Sequence, residues 1–153
     1  MKYQDFHSIA KKHSNACKVL RDKIESVSEE NRSGVIFDSW VLSLYYLSGY
    51  IIECSIKFKI LEVFNHCKFS DVSDFSCEEI GINYRKKFKT HNLNRLNDLL
   101  ESKISGIFLK NCDTELNGVI DSWDPVVRYE GIQFDYLDVL GFHDHSISIL
   151  KKV

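Results

Sequence analysis

The sequence predicts an all-α fold, an up-and-down bundle of four to five helices forming one domain over residues 1–153, and three observations carry that expectation. One proline and seven glycines in 153 residues leave little material for the repeated turns of a sandwich or barrel. Apolar residues recur at three- and four-residue spacing over long windows, which is the period of an α-helix. No internal repeat, low-complexity tract or linker divides those windows. With 44% apolar and 27% charged residues, the chain can bury one real core and is short for two.

A first amphipathic helix is expected over Tyr3–Ser26, where Phe6, Ile9, Ala10, Ala16, Val19, Leu20 and Ile24 alternate with lysines and polar groups. Ser28–Gly34 is a polar break. From Val35 to about Asn65 apolar residues cover most of the circumference, which predicts a central helix of about eight turns. Val35–Ile52 is apolar enough to raise the question of a membrane span. Asp38, three serines and Gly49 interrupt it and Glu53 follows, so a core helix is expected instead. Cys67–Thr90, with clustered Ser, Asp and Gly, reads as a loop with one short helix. His91–Ser102 returns to helical spacing through Leu93, Leu96, Leu99 and Leu100, with Thr90 or Asn92 as its cap. Gly106–Gly118 is ambiguous. Pro125 stops any helix and is expected to hold the next residues extended. A terminal helix is expected from about Ile132 to Lys151, packing through Phe134, Leu137, Leu140, Ile147 and Leu150.

The net charge of −2 gives no global basic field, so any nucleic-acid site must be a local patch. The five cysteines, Cys17, Cys54, Cys67, Cys77 and Cys112, are odd in number and lack CxxC spacing. Neither a disulfide framework nor a zinc ribbon is expected, and a reduced, cytoplasmic protein fits them best. His66, Cys67 and Cys77 fall short of a recognisable ligand set, so no metal or other cofactor is expected. Met1–Ala10 is polar and mixed in charge, unlike a signal peptide. The phosphate-binding, dinucleotide, nucleophile-elbow and zinc-protease motifs are absent from the sequence, as is an Asp-x-Asp pair for nucleotidyl transfer.

The chemistry concentrates on a polar stripe in the central helix. Ser43, Tyr46, Tyr50, Glu53 and Lys57 are spaced to share one face. A Glu and a Lys in so apolar a stretch need partners. The structural reading is an i,i+4 ion pair worth about 0.2–0.5 kcal/mol if exposed. The functional reading joins them to His91 and Arg128 in a polar cleft, where Arg and Lys hold a phosphate and Glu orients His. Tyr50 and Tyr46 either pack or stack on a base. Arg128 follows Pro125 and either pairs with Glu53 or Asp124 or presents a planar fork to phosphate. The run Arg85, Lys86, Lys87, Lys89, with Tyr84 and Phe88 interleaved, offers charge and stacking to single-stranded RNA, or is a solvated face.

Three segments, Tyr45-Tyr-Leu-Ser-Gly-Tyr-Ile-Ile-Glu-Cys-Ser-Ile-Lys, His91-Asn-Leu-Asn-Arg-Leu and Trp123-Asp-Pro-Val-Val-Arg-Tyr129, together resemble the HEPN superfamily over roughly residues 35 to 150. The resemblance implies a helical bundle, often dimeric, of bacterial toxin–antitoxin and phage-defence systems, often beside a small nucleotidyltransferase. Many members are metal-independent ribonucleases using an Arg and a His with four to six residues between them. Here Arg128 stands at the expected place, but Gln133, Phe134 and Asp135 occupy the positions that should hold His. The literal spacing occurs instead between Arg85 and His91.

The resemblance therefore implies a phosphate or nucleotide site built from Glu53, Lys57, Tyr50 and Tyr129 with His91, Arg128 and Arg85. The expected ligand is RNA or a nucleotide, and the expected partners are a second copy or a nucleotidyltransferase. Two alternatives stay open. One is an active endoribonuclease in which His91 takes the 2′-OH proton and Arg128 or Arg85 stabilises the developing charge. The other is a structural interaction module whose polar residues fix helix register.

Overall fold

A computed structural model describes residues 1–107, 109–131 and 133–153. Among the described residues six α-helices form a bundle: α1 (Tyr3–Glu25), α2 (Val35–Val63), α3 (Asp74–Glu78), α4 (Leu93–Glu101), α5 (Thr114–Asp121) and α6 (Tyr136–Leu150). Short 3₁₀ turns lie at Glu29–Asn31 and Pro125–Tyr129, and a wide π-turn at Tyr84–Phe88. Among the described residues there is no strand, and the β-bridging is confined to Lys2 and Asp71.

Helix α2 is the axis of the core. Its buried residues include Phe37, Leu44, Ile51, Ile52, Ile56 and Ile60, and α1, α4, α6 and the Pro125–Tyr129 turn pack around it. By length and composition alone α2 could cross a membrane; in the fold those apolar faces meet the other helices. Gly34 starts α2 with φ 93°, a conformation only glycine adopts cheaply. Asn65, at φ 60°, ends it, and the His66 N–H returns to the Leu61 carbonyl, a left-handed helix stop.

Neighbouring side chains give the directions. His13 meets Tyr50 and Lys23 lies over Trp40, so α1 runs antiparallel to α2. Tyr136 packs on Phe37 and Phe142 on Tyr45, so α6 runs in the same sense as α2. Helix α4 does too: His91 before it bonds Glu53, and Lys103 just past it lies over Phe64. The strict up-and-down alternation expected from sequence is thus corrected. The segment 64–92 climbs back along α2 before α4 begins, with Phe88 of the π-turn plugged against Phe6.

Most boundaries follow capping chemistry. Asn92 accepts the Arg95 N–H and starts α4 two residues later than expected. The ambiguous stretch yields α5, capped by Asp113, which with α3 raises the helix count above the expected four to five. Asp135 accepts from Leu137 and Asp138 N–H groups, so α6 starts at Tyr136; the expected start, Ile132, lies outside the described residues. The residues after Pro125 are not extended as expected. Asp124 is the extended residue, and it caps a 3₁₀ turn at the Val126 N–H, because the fixed φ of proline suits the first position of a helical turn.

Candidate functional site

Four residues of the α2 stripe, Tyr46, Tyr50, Glu53 and Lys57, meet side chains from α1, the start of α4 and the Pro125–Tyr129 turn. Ser43, at the stripe's other end, bonds back to the Ser39 carbonyl of its own helix. Glu53 is 4% exposed and held on both oxygens. Lys57 Nζ donates to Oε1 at 2.7 Å, and His91 Nδ1 lies 2.9 Å from Oε2. Lys57 Nζ also sits 5.6 Å over the Phe88 ring, a cation–π contact inside the core. Its ammonium faces inward, toward Glu53 and Phe88.

A carboxylate only accepts, so Nδ1 carries the proton in the contact with Glu53. This fixes the His91 ring and leaves Nε2 without a hydrogen bond among the described residues. The His91 side chain is 54% exposed. A buried carboxylate, charge-balanced by a buried lysine, therefore orients an imidazole whose other nitrogen is open to proton exchange with a ligand.

An aromatic track runs from His91 along α2. The His91 and Tyr50 rings are 6.1 Å apart, Tyr50 and Tyr46 5.0 Å, and Tyr50 and Trp123 5.3 Å, all edge to face. His13 of α1 adds a tilted contact to Tyr50 at 5.6 Å. Burial and the neighbouring Tyr46 push the Tyr50 hydroxyl well above the usual tyrosine range; Glu53 adds to that shift and Arg128 opposes it. Glu53 and Arg128 thus both act on Tyr50.

Trp123 fastens the Arg128 turn to this track. Its indole N–H donates to the Tyr46 carbonyl at 3.2 Å, and its ring lies directly on Gly49, where a Cβ would stand 1.9 Å from it. The glycine of the Gly49-Tyr50 pair is thus needed for close approach. At the end of the turn Arg128 is exposed. Its Nη1 donates to the Tyr46 hydroxyl at 3.2 Å, and its guanidinium lies 4.5 Å from the Tyr129 ring centre. Tyr129 is 74% exposed. Neither carboxylate weighed from sequence, Glu53 or Asp124, holds Arg128.

Arg85 is placed elsewhere. Its Nε bonds Asp74 of α3 at 2.6 Å, so Arg85 and His91 are held by different elements. His66 is buried and bonds Ser76 Oγ and the Cys67 carbonyl. Among the described residues no three His, Cys, Asp or Glu side chains gather for a metal. Burial pushes the Cys17 and Cys54 thiols up to about 12 and Cys77 to about 11, which keeps them protonated.

The functional reading of the sequence, one of two weighed, joined Glu53, Lys57, His91 and Arg128 in one cleft; the structure brings the first three into contact and sets Arg128 on Tyr46 and Tyr129. Sequence reasoning missed His13, Gly49 and Trp123 as members of the site. His13 carries no local signal, being one polar residue among several on α1. Gly49 had one: a glycine inside an apolar helix marks close approach by something large. Comparison with family models, curated proteins and solved structures finds no match to this chain.

Proposed function

We propose that this chain is a HEPN-like helical protein of a bacterial defence or toxin–antitoxin type, acting in the cytoplasm as a homodimer or beside a nucleotidyltransferase. It binds RNA or nucleotide phosphate on the face that runs from His91 over Tyr50 and Tyr46 to Arg128. The observation that carries this reading is the division of labour around Glu53. The buried Glu53–Lys57 pair fixes His91 from within, while the His91 ring and the Arg128 fork stay exposed on one aromatic track. Arg128 offers a phosphate paired N–H donors, Tyr129 offers a base a stacking face, and His91 exchanges a proton through Nε2. Lys57 acts within the core as the partner of the buried Glu53 carboxylate.

A second reading is metal-independent RNA cleavage, with His91 Nε2 taking the 2′-OH proton and Arg128 facing the phosphorane-like charge. The Glu53–His91 bond favours it, since a proton-transferring imidazole needs its other nitrogen anchored.

Both readings meet in one experiment. Purified protein is titrated with labelled single-stranded RNA and with mononucleotides, then incubated with mixed tRNA in EDTA. The expected result is wild-type binding that falls about tenfold in Arg128→Ala, the loss of one charge-assisted contact. Wild-type protein that binds none of these probes across salt concentrations overturns the proposal. Cleavage that disappears in His91→Ala selects the second reading.

A further inference from the structure

The most basic stretch of the chain leads directly into His91. Between Glu79 and Asp98 the sequence has no acid and five cations, Arg85, Lys86, Lys87, Lys89 and Arg95, in a protein of net charge −2. All five side chains are exposed. Asp74 engages Arg85, whereas Lys86, Lys87, Lys89 and Arg95 have no carboxylate partner among the described residues. A like-charged cluster of this kind is costly to fold and attracts a polyanion.

The fold adds what the sequence pattern lacks. Phe88, one of the two interleaved aromatics, is 2% exposed and packs in the core, so it offers no face to a base. In its place the structure presents a shallow, open groove between α3 and the π-turn, lined in part by Asp74, Phe75, Tyr84, Arg85 and Lys89. Phe75 is 71% exposed and its ring meets no other ring among the described residues. Tyr84 is half-buried and held by stacking on Phe88 at 5.8 Å. The Asp74–Arg85 bond joins the two walls. Lys89, in the groove lining, lies two residues before His91, at most about 7 Å along the backbone, so the groove and the His91 face are neighbours along the chain.

We infer that the ligand of the His91–Arg128 face is a single strand of RNA that continues into the α3–π-turn groove, where Phe75 stacks on an unpaired base and Lys89 meets the adjoining phosphate. This rests on the phosphate-binding reading above and specifies its substrate class. A mononucleotide fills one end and leaves the basic groove unused. A duplex keeps its bases stacked on each other and gives Phe75 nothing to cover.

The test uses the full chain and three probes: a long oligouridylate, uridine monophosphate and an RNA duplex of the same length. The expected result is a long strand bound at least about tenfold more tightly than the monophosphate, with that gap narrowed about tenfold in Phe75→Ser, as for one lost base stack. Lys89→Gln is expected to reduce the slope of log affinity against log salt by about 0.7, one phosphate contact. Both side chains are exposed, and matching circular dichroism melts check that the variants fold. Equal affinity for strand and monophosphate, preference for the duplex, or a tight strand complex untouched by both substitutions overturns the inference and leaves phosphate binding standing. Binding of none of the probes removes the phosphate-binding reading, and the inference with it.

Discussion

Two histidines of this protein meet charged partners, and burial is distributed oppositely between them. At His91 the carboxylate is inside and the ring outside: Glu53 is 4% exposed and the His91 side chain 54%. At His143 the ring is inside, 5% exposed, beneath an Arg21 side chain that is 23% exposed and the solvent-facing carboxylates Asp144 and Glu25. Arg21 of α1 approaches His143 Nδ1 at 3.2 Å and bonds Asp144 and Glu25, with the Asp144 side chain 66% exposed. Arginine only donates, so Nδ1 of His143 accepts, and Nε2–H is left buried without a partner.

The same residue types therefore build two different devices. A histidine that serves a dissolved ligand needs a buried anchor and an open second nitrogen, which His91 has. A histidine sealed beneath a partly exposed ion pair joins two helices, here α1 to α6, and has no nitrogen to offer.

The largest test of this contrast is removal of the anchor. Glu53→Ala leaves Lys57 without its carboxylate partner in the core, which is expected to cost about 3–5 kcal/mol. The counterpart Asp144→Ala removes an exposed carboxylate from a pair at the surface and is expected to cost about 0–1 kcal/mol. Urea unfolding of both variants measures the difference. Equal losses would erase the distinction between buried anchor and surface pair.

A smaller effect is expected from the other wall of the His91 site. Gly49→Ala places a methyl group where the Trp123 ring lies, so the indole must leave and take the Arg128 turn with it. The expected cost is about 1–3 kcal/mol, typical of overpacking, with a shift in tryptophan emission. An unchanged melt and spectrum would mean that the turn is held by other contacts.

The smallest effect is a pH slope. Burial, reinforced by Arg21, holds the His143 pKa below 6.5, with Asp144 and Glu25 pulling the other way. The folded state then binds fewer protons than the unfolded chain just below pH 6.5. This contribution to stability is complete above 6.5, shrinks as the pH falls toward the lowered native value, and levels off beneath it. His7, His13 and His145 are shifted in the same direction, so His143→Leu is expected to flatten the slope in part. An unaltered slope in thermal melts between pH 5 and 7 would show that His143 is not held neutral.

Much of the bundle was legible because its signals are local. The apolar period of Tyr3–Ser26 and Val35–Asn65 marked α1 and α2 to within two residues, and Asn92 was among the expected caps. Short elements were not legible. Helix α5 has only eight residues, too few for a period to stand out, and the turn after Pro125 depends on a cap by Asp124 that resembles any aspartate before proline. In the site, the i,i+4 spacing of Glu53 and Lys57 was readable because a helix dictates it. The His91–Glu53 bond spans 38 positions, and no rule of spacing reaches that far.

The sequence by itself determined which long segments are helical, which helix forms the core, and which polar residues ride on its face, since these follow from side-chain period and backbone capping. Only the tertiary structure decided that α4 runs alongside α2 in the same sense, that Trp123 rests on Gly49, that Phe88 is core while Phe75 is surface, and that Glu53 is sealed while His91 is open. Burial belongs to the packed molecule, and it is burial that turns a carboxylate and an imidazole into either an oriented site or a latch.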